Sequence, residues 1–365
     1  MRPSNVKNIP VVLLAAGEGS RLRPLSDKII KPLIPIAGTP IIERIINIFH
    51  DSGFSNIIIV TGDEHQVLKD HLDALEKVIS NQITIDYVIQ SEPNGMADAI
   101  ARTEEIVKKD SGASDFIVSA ADVIFNKDTP SNLYSAHIKA DADATLSLIM
   151  SKDDNMAEGH GNVQLENQKI TKIIEKPGSS NKISDFYSMP FYVFSSDIYD
   201  YIRKINKSER GELEIQDAIQ SMIDKNKTVV GIDLYPDQET SIRLEDIGKY
   251  HLTYIKDVLS MTFRFLENQT LKFDGEWPAT MEPITAAGVV KSGDSLLLGP
   301  NVYLGEDCEL DDLVEISNSI LMGKNKIGKS TIIANSIIFS GVEIGSNKTI
   351  TGTLILDEDV SESLK

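Results

Sequence analysis

Leu14-Ala15-Ala16-Gly17-Glu18-Gly19-Ser20-Arg21-Leu22-Arg23-Pro24-Leu25, followed by Lys31-Pro32-Leu33, is the stretch on which the reading of this chain turns. It begins where an apolar run, Val11–Ala16, ends. Small residues let a backbone approach a ligand closely, and a glycine-rich turn presents several N–H groups to an anion. Arg21, Arg23, Lys28 and Lys31 stand against Asp27 alone, a local +3. Phosphate binding is the most economical reason for that island. Two better-known phosphate loops fail on spacing. A dinucleotide fingerprint needs a third glycine where Leu22 stands, and a Walker loop needs a Gly-Lys-Ser/Thr end that is absent.

Outward from this stretch, apolar runs recur at Ile57–Val60, Ile83–Ile89, Phe116–Ala120 and Ala144–Met150. Between them lie helical spacings: Ile41, Ile42, Ile45, Ile46 and Phe49, then Leu68, Leu72, Leu75 and Ile79. Strand alternating with helix predicts βαβ units, that is, an α/β domain with a Rossmann-like, mainly parallel sheet. Ligands of such sheets bind beyond the carboxyl ends of the strands, so motifs that follow strands carry the most weight. The run Ile9–Ala16, preceded by Arg2 and Lys7, could imitate a short signal peptide. Pro10 inside it and the dense motif after it favour a buried first strand.

Residues 246–267 read as one helix leading out of this domain, with Leu252, Ile255, Val258, Leu259, Thr262 and Phe263 as its apolar stripe. Residues 268–292 read as an irregular linker, with Pro278, Pro283 and Gly288. The period then changes. Leu298, Leu304, Leu310 and Ile316 are six apart, as are Leu321, Ile327 and Ile333, and again Ile338, Ile344, Ile350 and Leu356. Gly299, Gly305, Gly328 and Gly345 each follow one of these aliphatics. This is the signature of a hexapeptide β-helix of about three coils, one aliphatic pointing inward per side. The expected organisation is a nucleotide-handling domain over 1–245, an exit helix and linker over 246–292, and a short β-helix over 293–365. End coils of a solenoid are exposed unless capped, so self-association through the β-helix is expected.

The chain has 365 residues and a net charge of −19. It carries no basic domain of the kind that grips nucleic acid, no cationic stripe for an anionic membrane, and no apolar run long enough to span one. The single cysteine, Cys308, excludes a disulfide framework and a Cys-rich metal site, and fits a cytoplasmic, reducing home.

Three further elements follow strands in order, and a fourth opens the exit helix. Gln90-Ser91-Glu92-Pro93-Asn94-Gly95-Met96-Ala97-Asp98-Ala99 comes after the third, and a glutamine amide offers both donor and acceptor to a base edge. Ala121-Asp122-Val123 comes after Phe116–Ala120. A carboxylate there can hold Mg²⁺ against triphosphate oxygens. Glu175-Lys176-Pro177 follows Ile170–Ile174, with Gly161 upstream. Asp246-Ile247-Gly248 opens the exit helix, where a simple N-cap is an alternative to a metal contact.

Together these residues closely resemble the sugar-phosphate nucleotidylyltransferases, in which a Leu-Ala-Ala-Gly-x-Gly-Thr/Ser-Arg-Leu-x-Pro-Leu run precedes a Lys-Pro. The resemblance extends over about 250 residues, and a C-terminal left-handed β-helix is common in the same family. Ile30 stands where that family usually has proline, and Ala121 where it has glycine. The resemblance implies an enzyme that joins a nucleoside triphosphate to a sugar 1-phosphate and releases pyrophosphate. It implies nucleotide contacts from Leu14, Ala15, Ala16, Gly17, Gly19, Ser20, Gln90 and Gly95. Arg21 and Lys31 become catalytic, Gly161, Glu175 and Lys176 bind the sugar phosphate, and Asp122 and Asp246 hold Mg²⁺. Gln90 resembles uridylyl and thymidylyl transferases most, with a glucose 1-phosphate-like hexose; a mannose-1-phosphate guanylyltransferase type and a non-catalytic regulatory subunit are the alternatives. Ser188-Met189-Pro190-Phe191-Tyr192 departs from the family's sugar-pocket element, because proline replaces its glycine. Glu214 and Asp217 are open between pocket and surface. The six histidines, His50, His65, His71, His137, His160 and His251, all lie outside the repeats, which speaks against a second, acyltransferase activity there.

Overall fold

The structure is a computed structural model. It describes residues 6–62, 65–78, 82–110, 114–234, 244–266, 272–274, 279–280, 283–357 and 361–364. The chain divides into two compact units: residues 1–18 with 42–247, and residues 19–41 with 248–365.

The first unit is built on a nine-stranded sheet. Its strands are β1 (Pro10–Leu14), β2 (Asn56–Thr61), β3 (Thr84–Ile89), β4 (Asp115–Ala120), β5 (Ala144–Met150), β6 (Gly161–Glu166), β7 (Lys169–Ile174), β8 (Phe186–Ser195) and β9 (Val229–Asp233), in the order β3-β2-β1-β4-β8-β5-β9-β7-β6. Strands β3, β2, β1 and β4 run parallel, as do β5 and β9. Strand β8 lies antiparallel between β4 and β5. Val11, Val12 and Leu13 on β1 and Ile57 to Val60 on β2 are wholly buried, as a strand covered on both faces requires. Helix α1 (Ile41–Asp51) follows the predicted spacing, with Ile42, Ile45, Ile46 and Phe49 inward. Helix α2 (His65–Val78) buries Leu68 and Leu72; Ile79 lies outside the described residues.

The exit helix departs from the expectation. A single turn, Leu244–Ile247, is followed by a separate helix, α3 (Ile255–Arg264). Asp257 accepts from the backbone N–H groups of Thr253 and Tyr254, at 2.8 and 2.6 Å, and so caps a fresh helix start. Asp246 therefore sits inside the short turn and does not open the long helix.

The C-terminal part of the second unit is a parallel β-helix whose three sheets hold five, five and six strands. Register partners stand 18 residues apart (Leu297 with Glu315) and then 17 apart (Glu309 with Lys326). The 17-residue coils contain the five-residue slips. The aliphatics expected to point inward do so: Leu298, Leu304, Leu321, Ile333 and Ile338 are wholly buried. Each is worth about 1.5–3 kcal/mol of transfer free energy. Corner residues Asn301, Asn318 and Asn335 all take the left-handed conformation, which asparagine tolerates better than most side chains. The stretch expected as a linker carries strands of the first coils: Lys272–Asp274, Ala279–Thr280 and Ile284–Ala286, each paired parallel with a later strand, and Val289–Ser292. Its repeat escapes a search for aliphatics because Thr280 and Ala286 occupy the positions in register with Leu298 and Leu304. The five coils and the α/β domain before them give the fold class expected from the sequence, with a left-handed hexapeptide solenoid as its second part. Among the described residues no helix is long and apolar enough to cross a membrane.

Candidate active site

The carboxyl ends of β1, β2, β3 and β4 are tied together by backbone bonds that continue past the strands. Ala15 donates to the carbonyl of Val60 at 2.7 Å, Gln90 to Thr61 at 2.8 Å, and Ala121 to Leu14 at 3.0 Å. These bonds bring Leu14, Ala15, Gln90 and Asp122 to one edge of the sheet. Gly17 has open space around its α-carbon, so no protein atom demands a glycine there; an approaching ligand is what would.

Gln90 is buried, and its amide nitrogen donates to the carbonyl of Gly95 at 3.2 Å and to Asp98 Oδ2 at 2.7 Å. Asp98 also accepts from Arg102 Nε at 2.9 Å. The side-chain carbonyl Oε1 is thereby fixed as the amide's outward acceptor. Gly95 has its own structural reason. Its φ is 101°, and a β-carbon would sit 2.7 Å from the carbonyl oxygen of Leu213. The glycine clears the backbone of Leu213, which is hydrogen-bonded on either side, to Asn94 and Ala97.

Polar side chains close in on Gly161 at the start of β6. A β-carbon on Gly161 would meet Ser188 Oγ at 2.8 Å and Glu175 Oε2 at 3.1 Å. Glu175 Oε2 is buried and has no hydrogen-bond partner. Its other oxygen pairs with Lys176 Nζ at 3.0 Å and with Arg210 at 3.6 Å. Burial pushes the Glu175 carboxyl above its ordinary value, against the pull of Lys176. Lys176 itself stands in the left-handed region, φ 41°, which turns the chain sharply after the glutamate. Arg210 also binds Glu214 at 2.8 Å, and burial, aided by Glu214, raises the carboxyl of Asp217. Glu214, at 5% exposure, thus belongs to this polar cluster and not to an outer helix face. Ser188 belongs to the segment that departs from the family's sugar-pocket element, whereas the sequence does not single out Arg210. Arg210 carries no motif, and only its i,i+4 relation to Glu214 hints at a role.

Pro190 acts as its chemistry dictates. Between Ser188 and Tyr192 the pairing of β8 with β5 slips: four steps on β8 match two on β5, from Leu148 to Leu146. Proline has no N–H to give a ladder and is tolerated at such a bulge. The slip follows directly on Ser188, whose hydroxyl lies against Gly161.

The second unit carries the remaining candidates. Gly19, in the left-handed region at φ 65°, precedes a 3₁₀ turn, Ser20–Leu22, on which Arg21 is exposed. Lys31 opens another turn, Lys31–Leu33, and its β-carbon lies 3.2 Å from where one on Gly19 would be. Gly19 and Lys31 thus pack together. Of the four cations in the island, Arg23 pairs with Asp27 at 3.2 Å and Lys28 with Asp357 at 3.3 Å.

For a metal, Asp122 and Asp246 are the proposed carboxylates, and no group of three or more His, Cys, Asp or Glu is gathered for one among the described residues. Carboxylate oxygens are the hard ligands that a divalent cation takes.

Comparison with known proteins gives the family. Residues 10–250 match the nucleotidyl transferase family, and residues 281–363 match the GMPPB C-terminal domain. The bifunctional protein GlmU of Methanococcus aeolicus is 29% identical over 369 residues, spanning 95% of this chain and 81% of that protein. The low-salt glycan biosynthesis nucleotidyltransferase Agl11 of Haloferax volcanii is 28% identical over 360 residues, spanning 92% and 93%. Among solved structures, apo UDP-glucose pyrophosphorylase superposes with a TM-score of 0.58 at 22% identity, over 70% of this chain and 98% of that one, a likeness of fold. With the family match covering well over half its length, the chain belongs to the nucleotidyl transferase family, among the sugar-phosphate nucleotidyltransferases.

Proposed function

We propose that this enzyme transfers a uridylyl or thymidylyl group to a glucose 1-phosphate-like hexose phosphate. A phosphate oxygen of the sugar 1-phosphate attacks the α-phosphorus of the triphosphate. The bond from that phosphorus to the bridging oxygen of the β-phosphate breaks, and pyrophosphate leaves with the electron pair. Both partners are anions, so the catalytic work is positioning and charge neutralisation. Lys31 offsets the charge that builds at the α-phosphorus, and Arg21 that of the departing pyrophosphate. The backbone of Leu14 to Gly17, with Gly19 and Ser20, cradles the nucleotide. Gln90 Oε1 accepts from the N3–H of a uracil or thymine, a donor that cytosine lacks. Mg²⁺, when held by Asp122 and Asp246, would neutralise phosphate charge.

The observation that carries the sugar end is the polar cluster at Gly161. Among the described residues nothing hydrogen-bonds the buried Glu175 Oε2, and it lies against a glycine where any β-carbon would crowd it. A sugar hydroxyl is a donor of the right size, and Lys176 and Arg210 supply charge for the attached phosphate. The lone buried cysteine supports a cytoplasmic setting. Exposed Leu297 and Ile332, both in register with Glu315 on one face of the β-helix, support self-association there.

The test is pyrophosphate release with UTP, dTTP, GTP, ATP and CTP against glucose, mannose and N-acetylglucosamine 1-phosphates. Turnover with UTP or dTTP and a glucose-type phosphate supports the reading. Turnover confined to GTP and mannose 1-phosphate replaces it with the guanylyl type. Binding without turnover makes the chain a regulatory subunit.

A further inference from the structure

The segment that carries Arg21 and Lys31 is part of the same compact unit as the β-helix. Its second half explains how. After the Lys31–Leu33 turn the chain forms a small hairpin, Pro35–Ile36 against Thr39–Pro40. Ala37 and Gly38 at its tip both have positive φ, 46° and 77°, the pairing a two-residue type I′ turn demands. Ile34 and Ile36 are buried, and Ile41 donates to the carbonyl of Ile34 at 3.0 Å, closing the hairpin on the residues just after Lys31. The tip is held from outside. Ala37 donates its N–H to Thr262 Oγ1 on α3 at 3.3 Å. The hydroxyl and ring of Tyr303 lie directly under Gly38, so close that a β-carbon there would clash with the ring at 3.0 Å and more severely with the hydroxyl.

Tyr303 stands on the β-helix strand Val302–Leu304 between two core residues, Val302 and Leu304, and so points away from the solenoid interior. A tyrosine on an outer face is normally half wet, yet this one is 5% exposed. Beside the contact a cleft of about 340 Å³ runs along Pro35, Ala37, Ile320 and Met322. The hairpin tip is therefore not packed all round, and Tyr303 is the large side chain that fills the space beneath it. The pair Lys28–Asp357 is a second tie from the segment to the last coil, and being half exposed it contributes little.

We propose that Tyr303 is a positioning residue for Lys31: the β-helix holds the hairpin by its glycine tip and thereby fixes the turn that presents the lysine. This rests on the catalytic role proposed for Lys31. A misplacement of about 1 Å in a charged group costs on the order of 100-fold in turnover without abolishing substrate binding.

The test uses the full chain with Tyr303→Ala, Tyr303→Phe, Gly38→Ala and, on another face of the β-helix, Glu343→Gln. The expected result is a fall in kcat of about 10- to 100-fold for Tyr303→Ala and Gly38→Ala, with nucleoside triphosphate affinity kept within about twofold. Tyr303→Phe, which keeps the ring, and Glu343→Gln stay near wild type. Hydrogen exchange of the Leu33–Ile41 amides, measured without substrate, should speed up in Tyr303→Ala while the β-helix strands stay protected. Unchanged kcat and unchanged exchange in Tyr303→Ala overturn the proposal, as does a loss confined to substrate affinity. If wild type releases no pyrophosphate, or Lys31→Ala releases it normally, the function reading fails instead. The exchange measurement then still decides whether Tyr303 holds the hairpin: unchanged amides overturn that, and faster ones sustain it.

Discussion

Glu175 Oε2 lies 3.1 Å from the place a β-carbon on Gly161 would occupy, and no group among the described residues hydrogen-bonds it. A buried oxygen left without a partner costs about 1–3 kcal/mol, more when charged, unless something arrives to use it. An incoming sugar hydroxyl is the donor proposed for it, and the arrangement can be probed from both sides.

Gly161→Ala puts a methyl group 2.8 Å from Ser188 Oγ. Its KM for the sugar 1-phosphate should rise by about 10-fold or more, a loss near 1.4 kcal/mol, while the KM for the nucleotide holds. Steady-state kinetics with each substrate varied in turn checks it. Equal changes in both constants would mean that Gly161 serves the fold and not the sugar.

The raised carboxyl of Glu175 makes a prediction about stability. A carboxyl raised on folding favours the folded state only while protonated. Its contribution is complete below the unfolded value near 4.5 and is lost as pH rises through the higher folded value. Glu175→Gln should therefore raise Tm at about pH 7 and leave it nearly unchanged at about pH 4. The same variant should bind sugar 1-phosphate less well. Thermal melts at the two pH values check the first statement, and a lower Tm at neutral pH contradicts it.

Lys31→Ala should lower kcat by about 100-fold or more, since a fixed charge aimed at a developing one is commonly worth 3–4 kcal/mol. The fold should persist, because the partly buried Lys31 lies outside the core. Near-normal pyrophosphate release, assayed alongside circular dichroism, would remove the lysine from the mechanism.

Leu321 is wholly buried in the β-helix, in register with Leu304 and Ile338. Leu321→Ala should destabilise that unit by about 2–5 kcal/mol. Urea unfolding followed by hydrogen exchange of the repeats would read the loss, and a change below about 1 kcal/mol would mean that the coil collapses around the gap.

Cys308 is buried, and burial pushes its thiol up to about 11. The native protein should not react with a thiol reagent at about pH 8, whereas the urea-unfolded chain should react promptly. Fast labelling of the native state would show that the third coil opens locally at its start.

Much of this was legible in advance because periodicity and local chemistry are sequence properties. A parallel strand buried on both faces has to read as an apolar run, and β1 and β2 do. The repeat of six from Leu298 to Leu356 announces coils because each side of a solenoid has one inward position. Where that position tolerates a small or polar residue, as at Thr280 and Ala286, the signal fades, and the β-helix begins earlier than its aliphatics suggest. The exit helix was misread for a related reason. Leu252, Ile255 and Leu259 keep a helical spacing, but Asp257 can cap a new helix, and capping depends on backbone geometry that spacing does not contain.

The sequence by itself determined the glycine-rich basic loop, the alternation of strand and helix, the solenoid period and the membership of a nucleotidyl transferase family. These follow from residue type and local order. Only the tertiary structure decided that Gly95 clears Leu213, that Arg210 and Ser188 join Glu175, and that the segment bearing Lys31 rests on Tyr303. Those relationships join residues far apart in the chain, and distance in space is fixed by packing, not by spacing along a sequence.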